Sequence, residues 1–338
     1  MFIIGIDPHK GSHTAAVLDE REVVVGELRV TADRCQRDRL LEFAAPFEPR
    51  TWAVEGAAGL GALLAQQLVA AGETVLDVPP KLSARARLLD SGRTDKTDPY
   101  DARSAAVVAW RHESLQLVRP VDHTAVLRLL ADRRHDLIAL RTRTVCRLHA
   151  LLCLLTPGGF GQRMSADQAA KVLRGIRPTE PVATERKHMA LELLADLRRL
   201  DQQITAVSDR TTVAVAASGT TVTEVYGVGP ILAAVIIGHT GHVGRFPTAG
   251  HYARYNATAP IEASSGPKVR HRLNPRGNRH LNHAIHVAAV TQIRNDTPGR
   301  IYLDRKITEG KTKKEAMRAL KRRISDAVYR QLLADARR

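Results

Sequence analysis

The sequence predicts an α/β domain over residues 1–118, a connector of long helices over 119–218, and a mainly α, basic domain over 219–338. Three observations carry that prediction. Short apolar runs alternate with helical patterns through the first 118 residues, two long leucine-striped segments follow, and the charge is unevenly divided. Residues 1–118 hold 14 basic and 17 acidic side chains, so of the chain's net +16 they carry −3 and residues 119–338 carry +19. A generically basic composition would spread the surplus over both halves. The division fits an acid-bearing catalytic domain joined to one that binds a polyanion.

The continuous apolar run Phe2–Ile6 reads as a strand buried on both faces. It ends on Asp7, and Pro8 cannot continue the ladder. A strand-end acid sits at the rim of a sheet, where open α/β folds place their chemistry, although it can equally cap a turn. Thr14–Leu18 and Glu22–Val30 read as two more strands joined by a turn at Asp19-Glu20-Arg21. Asp33–Ala45 is helical, with Leu40, Leu41 and Phe43 apolar and Pro46 as its stop. Thr51–Gly56 is a fourth strand that again ends on an acid, Glu55. Leu60–Ala71 is a helix stopped by Gly72, and Thr74–Val78 is a fifth strand closed by Pro79-Pro80. Asp98 followed by Pro99 reads as an N-cap, with the helix running through Ala102, Ala105, Ala106, Val107 and Trp110. Asp98 and Asp101 face one way at its entrance, although capping and the helix dipole also favour acids there. This order, on a mixed five-stranded sheet, is that of the ribonuclease-H-like fold.

Thr124–Leu155 reads as one long helix whose apolar stripe is Leu127, Leu130, Leu137, Leu140, Leu148, Leu151 and Leu152. Another face carries Arg128, Arg133, Arg134, Arg141, Arg143 and Arg147, and Arg141 and Arg147 are candidates for nucleic-acid contact. Pro157-Gly158-Gly159 breaks the helix, and residues 157–184 read as an insertion without a clear element. A second long helix runs from about Glu185 to Ala217, with Leu191, Leu194, Leu197, Leu200 and Ile204. Two such helices can pair within the chain or with another subunit. Cys146 and Cys153 read as core, and the three cysteines form no CxxC pair, which suits a reducing cytoplasm. No apolar run approaches the ~20 residues needed to span a bilayer, so no membrane partner is expected.

In the last region Gly227-Val228-Gly229-Pro230 leads into an apolar helix, a turn that can hold phosphate or be merely tight. Gly250–Pro260 is helix-like, and residues 245–338 hold 21 basic against 7 acidic side chains. Candidate phosphate contacts are Lys268, Arg270 and Arg272, then Arg276, Asn278 and Arg279, and on the final helix Lys321 and Arg322. Ser265, between Ser264 and Gly266, could attack a phosphodiester beside these cations, or Ser-Ser-Gly-Pro could be a turn. His280, His283 and His286 suggest a zinc site only weakly. They drift around a helix and have no cysteine partner, so nucleic-acid contact or ordinary surface is expected of them.

Asp7, Glu55, Asp98 and Asp101 could converge at the sheet rim, where a hard divalent cation such as Mg²⁺ would relieve their mutual repulsion. Asp7 in Gly-Ile-Asp-Pro-His-Lys, Glu55 in Val-Glu-Gly and Lys96-Thr97-Asp98-Pro99-Tyr100-Asp101-Ala102 resemble the DEDD signature of the "one-ten" family of bacterial insertion-sequence transposases. Gly227–Pro230, Arg245-Phe246, Ser265-Gly266 and Gly277-Asn278-Arg279-His280-Leu281 are similar to the motifs of that family's C-terminal domain, in the same order. One departure is visible: Gly241-His242 stands where the family usually has Gly-Asp. The resemblance implies a resolvase-like N-terminal domain in which the four acids bind Mg²⁺, and Ser265 as a nucleophile forming a phosphoserine link to DNA. It also implies a non-coding bridge RNA that pairs with donor and target DNA, and a homo-oligomer, dimer or tetramer, with composite active sites. The rival expectations are a Mg²⁺-dependent, structure-selective endonuclease without a covalent serine step, an actin-like ATPase, and a non-catalytic nucleic-acid-binding protein.

Overall fold

The N-terminal apolar run becomes β1 (Phe2–Pro8), a central strand of a mixed sheet. The structure, a computed structural model, describes residues 1–91, 97–157, 164–262, 271–272 and 274–338. The chain divides into two compact units, Met1–Val121 and Asp122–Arg338.

In the first unit β1 is followed by β2 (Ser12–Leu18), β3 (Val24–Thr31), α1 (Gln36–Ala44), β4 (Arg50–Glu55), α2 (Ala62–Ala70), β5 (Val75–Val78), α3 (Pro80–Ser91), α4 (Asp98–Arg111) and β6 (Gln116–Leu117). The strand order is β3-β2-β1-β4-β5-β6. β1–β2–β3 is an antiparallel meander, β4 runs parallel to β1, and β5 runs parallel to β4. This is the ribonuclease-H-like arrangement expected from the sequence, with two additions. A sixth strand pairs Gln116 and Leu117 antiparallel with β5. Two residues are too few to show a period of two, which is why five strands were expected. α3 was also missed, because Pro79-Pro80 reads as a strand stop. Pro80 instead opens a helix, a position where a missing N–H costs little.

The two-residue period of a strand assigns each side chain a face. Ile4, Ile6, Trp52 and Val54 pack with Leu40, Leu64 and Leu68 of α1 and α2. Ile3 and Ala53 pack on the opposite face with Ala102, Ala105 and Ala106 of α4. Gly5 lies on this second face under α4, where an added Cβ would stand 1.9 Å from the Ala102 carbonyl oxygen. A buried polar chain ties β2 to the helices of the other face. The Nε2 of His13 lies 2.9 Å from Gln36 Oε1, and Gln36 Nε2 donates to Gln67 Oε1 at 2.7 Å. Burial pushes the His13 pKa below its usual 6.5, partly offset by the hydrogen bond to Gln36.

The second unit contains α5 (His123–Cys153), α6 (Ala166–Gly175), α7 (Pro181–Ala217), α8 (Pro230–Thr240), α9 (Ala249–Tyr255), β7 (Ile261–Glu262), β8 (His271–Arg272), α10 (Arg279–Arg294), α11 (Pro298–Thr308) and α12 (Lys313–Asp335). α5 and α7 pair within the chain through Leu130, Leu137, Leu200 and Val207. Polar contacts reinforce the pair: Arg134 Nε donates to Ser208 Oγ at 3.0 Å, and Arg141 Nε to Asp201 Oδ1 at 2.5 Å. Within 157–184, α6 begins in a Ser165/Gln168 capping box and buries Ala169 and Leu173 against Leu148, Leu152, Leu194 and Leu197. Pro181 is the first residue of α7, not a breaker before it. Helices α8, α10 and α12 share a core that includes Ile236, Leu281, Ile285, Leu320 and Val328.

Leu140 and Leu191, expected in the apolar stripes, and Cys146 and Cys153, expected in the core, are all exposed. At about 100° per residue Leu140 sits roughly 60° round from Leu137, at the margin of the buried stripe. Cys146 lies about 160° and Cys153 about 140° round from buried Leu148. Their seven-residue spacing puts them on one face, but the wrong one for the core. Among the described residues no helix is long and apolar enough to cross a membrane.

Replacing Gly5 by alanine must move α4, at the upper end of the roughly 1–3 kcal/mol typical of overpacking, readable as a lower denaturant midpoint. Because the folded-state pKa of His13 lies below 6.5, the unfolded chain takes up that proton first, and stability falls as the pH drops below 6.5. His13→Gln is expected to flatten the dependence of Tm on pH in that range.

Candidate active site

Asp7 and Glu55 each stand one residue beyond the last register pair of neighbouring parallel strands, Ile6 and Val54. By the period of two they share the face of Ile3, Gly5 and Ala53, onto which α4 packs. The absent side chain at Gly5 lets α4 descend onto β1, and this brings the first turn of α4 to the rim that carries both acids. α4 begins at Asp98 with Pro99 next, and its N-cap is Thr97, not Asp98 as expected. The Asp98 carboxylate therefore occupies the first turn itself.

The structure brings Asp7 and Asp98 together around a residue that sequence reasoning had not singled out, His9. Its Nδ1 lies 3.5 Å from Asp7 Oδ2 and its Nε2 3.9 Å from Asp98 Oδ1. One donor atom from each of Asp7, His9 and Asp98 falls within 4.8 Å of the others. Arg29 Nη2 is 3.6 Å from the other oxygen of Asp98. A cavity of ≈ 420 Å³ opens beside Asp98, lined also by Thr14, Glu27, Arg29 and Thr97. Asp7 is buried, whereas His9 is exposed.

Glu55 and Asp101 do not belong to that close group. Asp101 is buried and ion-paired with Arg87 of α3, the helix missed from the sequence. The turn after Glu55 is held by its neighbours: Gly56, at φ +59, donates to the Val78 carbonyl at 2.9 Å, and the Ala57 N–H donates to Asp77 Oδ1 at 2.9 Å. Burial raises the Asp77 pKa above the usual carboxylate range, and the Ala57 hydrogen bond opposes the shift. Asp77 thus positions the turn that carries Glu55. Its signal in the sequence was weak, a lone acid inside an apolar strand.

The donor set suits a hard divalent cation. Two carboxylates within bonding reach of one point, with two more acids on the same side of the sheet, supply oxygen ligands and leave room for water. Asp7 and Asp98 are placed to share such an ion, with His9 beside them.

The basic candidates of the second unit separate into groups. Arg279, Lys321 and Arg322 line one cavity of ≈ 1210 Å³ with Lys311, Lys313 and Lys314. Lys321 Nζ donates to Asn282 Oδ1 at 2.7 Å, and burial draws its pKa below the usual lysine value. Arg322 is also held by Asp326 at 3.0 Å. Arg276 lines a second cavity of ≈ 540 Å³ with Arg245 and Arg254. There the Arg245 guanidinium lies 4.6 Å from the Phe246 ring centre and 4.5 Å from that of Tyr255. Asn278 is the N-cap of α10, its Oδ1 accepting the Leu281 N–H at 3.0 Å. Arg141 is engaged by Asp201, while Arg147 is exposed on α5. Gly227, at φ +84, is pressed against α10, where a Cβ would lie 2.8 Å from the Ala288 carbonyl oxygen, so close packing explains this glycine. Ser264, Ser265, Lys268 and Arg270 lie outside the described residues, as does the side chain of Arg272, whose backbone belongs to β8.

Comparison with known proteins agrees with this layout. A DEDD family model of the IS110 type, described as Transposase, matches residues 4–157, and one described as Transposase IS116/IS110/IS902 family matches residues 219–303. The chain is 28% identical over 376 residues to the uncharacterized 44.8 kDa protein of insertion element IS116 from Streptomyces clavuligerus, covering 97% of this chain and 94% of that one. It is 29% identical over 383 residues to the 42 kDa protein of IS900 from Mycobacterium paratuberculosis, with the same coverage of 97% and 94%. It is 30% identical over 335 residues to the 43.6 kDa protein of IS110 from Streptomyces coelicolor, covering 84% of this chain and 82% of that one. Among solved structures, Thermus thermophilus RuvC in complex with Holliday junction substrate is 18% identical at a TM-score of 0.28, over 35% of this chain and 99% of that one. The fold assignment rests on strand order and direction rather than on that local likeness. With both family matches in chain order and relatives aligned over nearly their whole length, this protein belongs to the IS116/IS110/IS902 family of transposases and is a DNA transposase.

Proposed function

We propose that this transposase cuts and rejoins DNA through a phosphoserine intermediate at Ser265, with Mg²⁺ held by Asp7, Glu55, Asp98 and Asp101. The observation that carries the metal half is the meeting of Asp7 and Asp98, 91 positions apart, at one point of the sheet rim. When bound, Mg²⁺ supplies electrostatic stabilisation of the charge that develops on phosphate oxygens. The protein's own groups do the rest. Asp7 and Asp98 offer oxygen ligands, Glu55 and Asp101 complete the acidic face, and Arg87 and Arg29 balance the charge of Asp101 and Asp98. Asp77 keeps the Glu55 turn in place.

In the chemical step the Ser265 hydroxyl loses its proton, its Oγ forms a bond to phosphorus, and one P–O bond to the adjoining nucleotide breaks. The freed end leaves as a hydroxyl after taking up a proton, and attack by a DNA hydroxyl on the phosphoserine releases the serine and seals the strand. Lys268, Arg270 and Arg272 are assigned to the phosphate at that site. Arg276, Arg279, Lys321, Arg322 and Arg147 are assigned to backbone contacts elsewhere, which carry no sequence information themselves. On the family resemblance, the proposal includes a guide, a non-coding bridge RNA that pairs with donor and target DNA, and a homo-oligomer as the working form.

The reading is tested with the full chain on element-end DNA. With Mg²⁺, Asp7→Asn and Asp98→Asn are expected to lower strand cleavage by on the order of 100- to 1,000-fold. Wild-type rates in both variants would remove the acids from the chemistry. Ser265→Ala is expected to abolish the protein–DNA adduct that survives denaturing electrophoresis. Normal cleavage by that variant would favour a nuclease that uses water. Sequencing RNA that co-purifies with the protein tests the guide, and a fragment complementary to the element's junctions is the expected result.

A further inference from the structure

We propose that Asp132, His239 and His280 form a second metal site, in the Asp122–Arg338 unit, for a borderline divalent transition ion with Zn²⁺ as first candidate. The three residues come from three different helices, α5, α8 and α10, and one donor atom of each lies within 4.8 Å of the others. No local spacing could have announced it. The triplet His280, His283 and His286 contributes only its first member, and that member faces other histidines.

His239 is the residue that asks for a ligand. It is 2% exposed, and neither ring nitrogen makes a hydrogen bond of acceptable geometry among the described residues. Its Nε2 nonetheless stands 3.1 Å from Asp132 Oδ1. A buried imidazole that serves only the core donates from one nitrogen and accepts at the other. This one has a carboxylate oxygen on one side and a second imidazole stacked on it, with the His280 ring 4.4 Å away and inclined by 7°. Burial first, then Arg128 and His280, draw the His239 pKa down to about 4, against the opposing pull of Asp132.

The surroundings are built for orientation. Arg128 Nε lies 3.3 Å from Asp132 Oδ2, which leaves Oδ1 directed to the histidine. A partner on the outer oxygen of a ligating carboxylate is the usual way such a ligand is oriented. His135 packs edge-on against His280, 4.9 Å between ring centres. At Gly238 an added Cβ would stand 2.6 Å from the Arg128 backbone, so the glycine is what allows α8 to approach α5 closely enough for His239 to meet Asp132. The Asp132 side chain is 42% exposed, which gives an ion a way in. Bonds of about 2.0–2.2 Å in a tetrahedron place donor atoms roughly 3.3–3.6 Å apart. The Asp132–His239 pair is close to that spacing, and a ring nitrogen of His280 lies within 4.8 Å of both partners' ligand atoms. Two imidazoles and a carboxylate select Zn²⁺-like ions over Mg²⁺, and three protein ligands leave a fourth position for water. A bound ion would clamp the long helix α5 to α10, the helix capped by Asn278 that carries Arg279.

The test uses the full chain, stripped by a chelator and then titrated with Zn²⁺ or Co²⁺. Wild type is expected to take up Zn²⁺ with a rise in Tm, and Co²⁺ with the intense visible absorption of tetrahedral nitrogen and oxygen ligation. Asp132→Asn and His280→Gln are expected to weaken Zn²⁺ binding by roughly 10- to 100-fold and to lose the Co²⁺ band, while Asp7→Asn keeps both. The idea is overturned if the Co²⁺ spectrum of wild type is octahedral, or if uptake disappears in Asp7→Asn. Unchanged Zn²⁺ affinity in the Asp132 and His280 variants overturns it equally.

Discussion

The contact between α4 and β1 at Gly5 is the constraint on which the acidic site depends. The carbonyl of Ala102 occupies the volume that any side chain at position 5 would need. Ala102, Ala105 and Ala106 keep the helix surface equally thin on that side. With the helix so close, its first turn ends at the height of the strand tips, and Asp98 reaches Asp7 through a single imidazole. A larger residue at any of these positions would lift α4 and separate carboxylates that belong to opposite ends of the domain's sequence. The small residues of the Gly-Ile-Asp segment and of α4 are thus as much a part of the site as the acids.

The acids are not equivalent in this arrangement. Asp7 and Asp98 share His9, whereas Asp101 faces Arg87 and the turn after Glu55 leans on Asp77. Desolvating several carboxylates together is unfavourable unless cations or donors compensate. Here α3 and β3 supply arginines, and β5 supplies the acceptor that orders the turn after Glu55.

Close approach through glycine recurs in the second unit. Gly227 admits α10, and Gly238 admits α5. The basic residues there divide by task. Arg134 and Arg141 join α5 to α7, Lys321 reaches Asn282, and Arg279 and Lys314 face a broad cavity. A net positive charge on this half is therefore a composite quantity, only part of which is presented to a polyanion. The long helices satisfy each other within the chain along Leu130, Leu137, Leu200 and Val207.

The sequence by itself determined the first five strands, their order along the chain and the acids at the tips of β1 and β4. These depend on runs of apolar residues and on a period of two, both local properties. It likewise determined the long helices and the basic half, and the resemblance in its motifs named the family that the comparisons then showed. Three-dimensional packing decided what local patterns do not encode. α3 and β6 were hidden by a proline pair and by brevity, and with α3 went Arg87, the partner of Asp101. Thr97 rather than Asp98 became the cap, since the helix boundary follows backbone angles. His9 joined Asp7 and Asp98, and His239 met Asp132 and His280, where glycines at 5 and 238 let α4 close on β1 and α8 on α5. Periodicity tells a residue which face it is on. Which distant residue faces it is settled by how closely two elements can approach, and that depends on atoms the pattern does not contain.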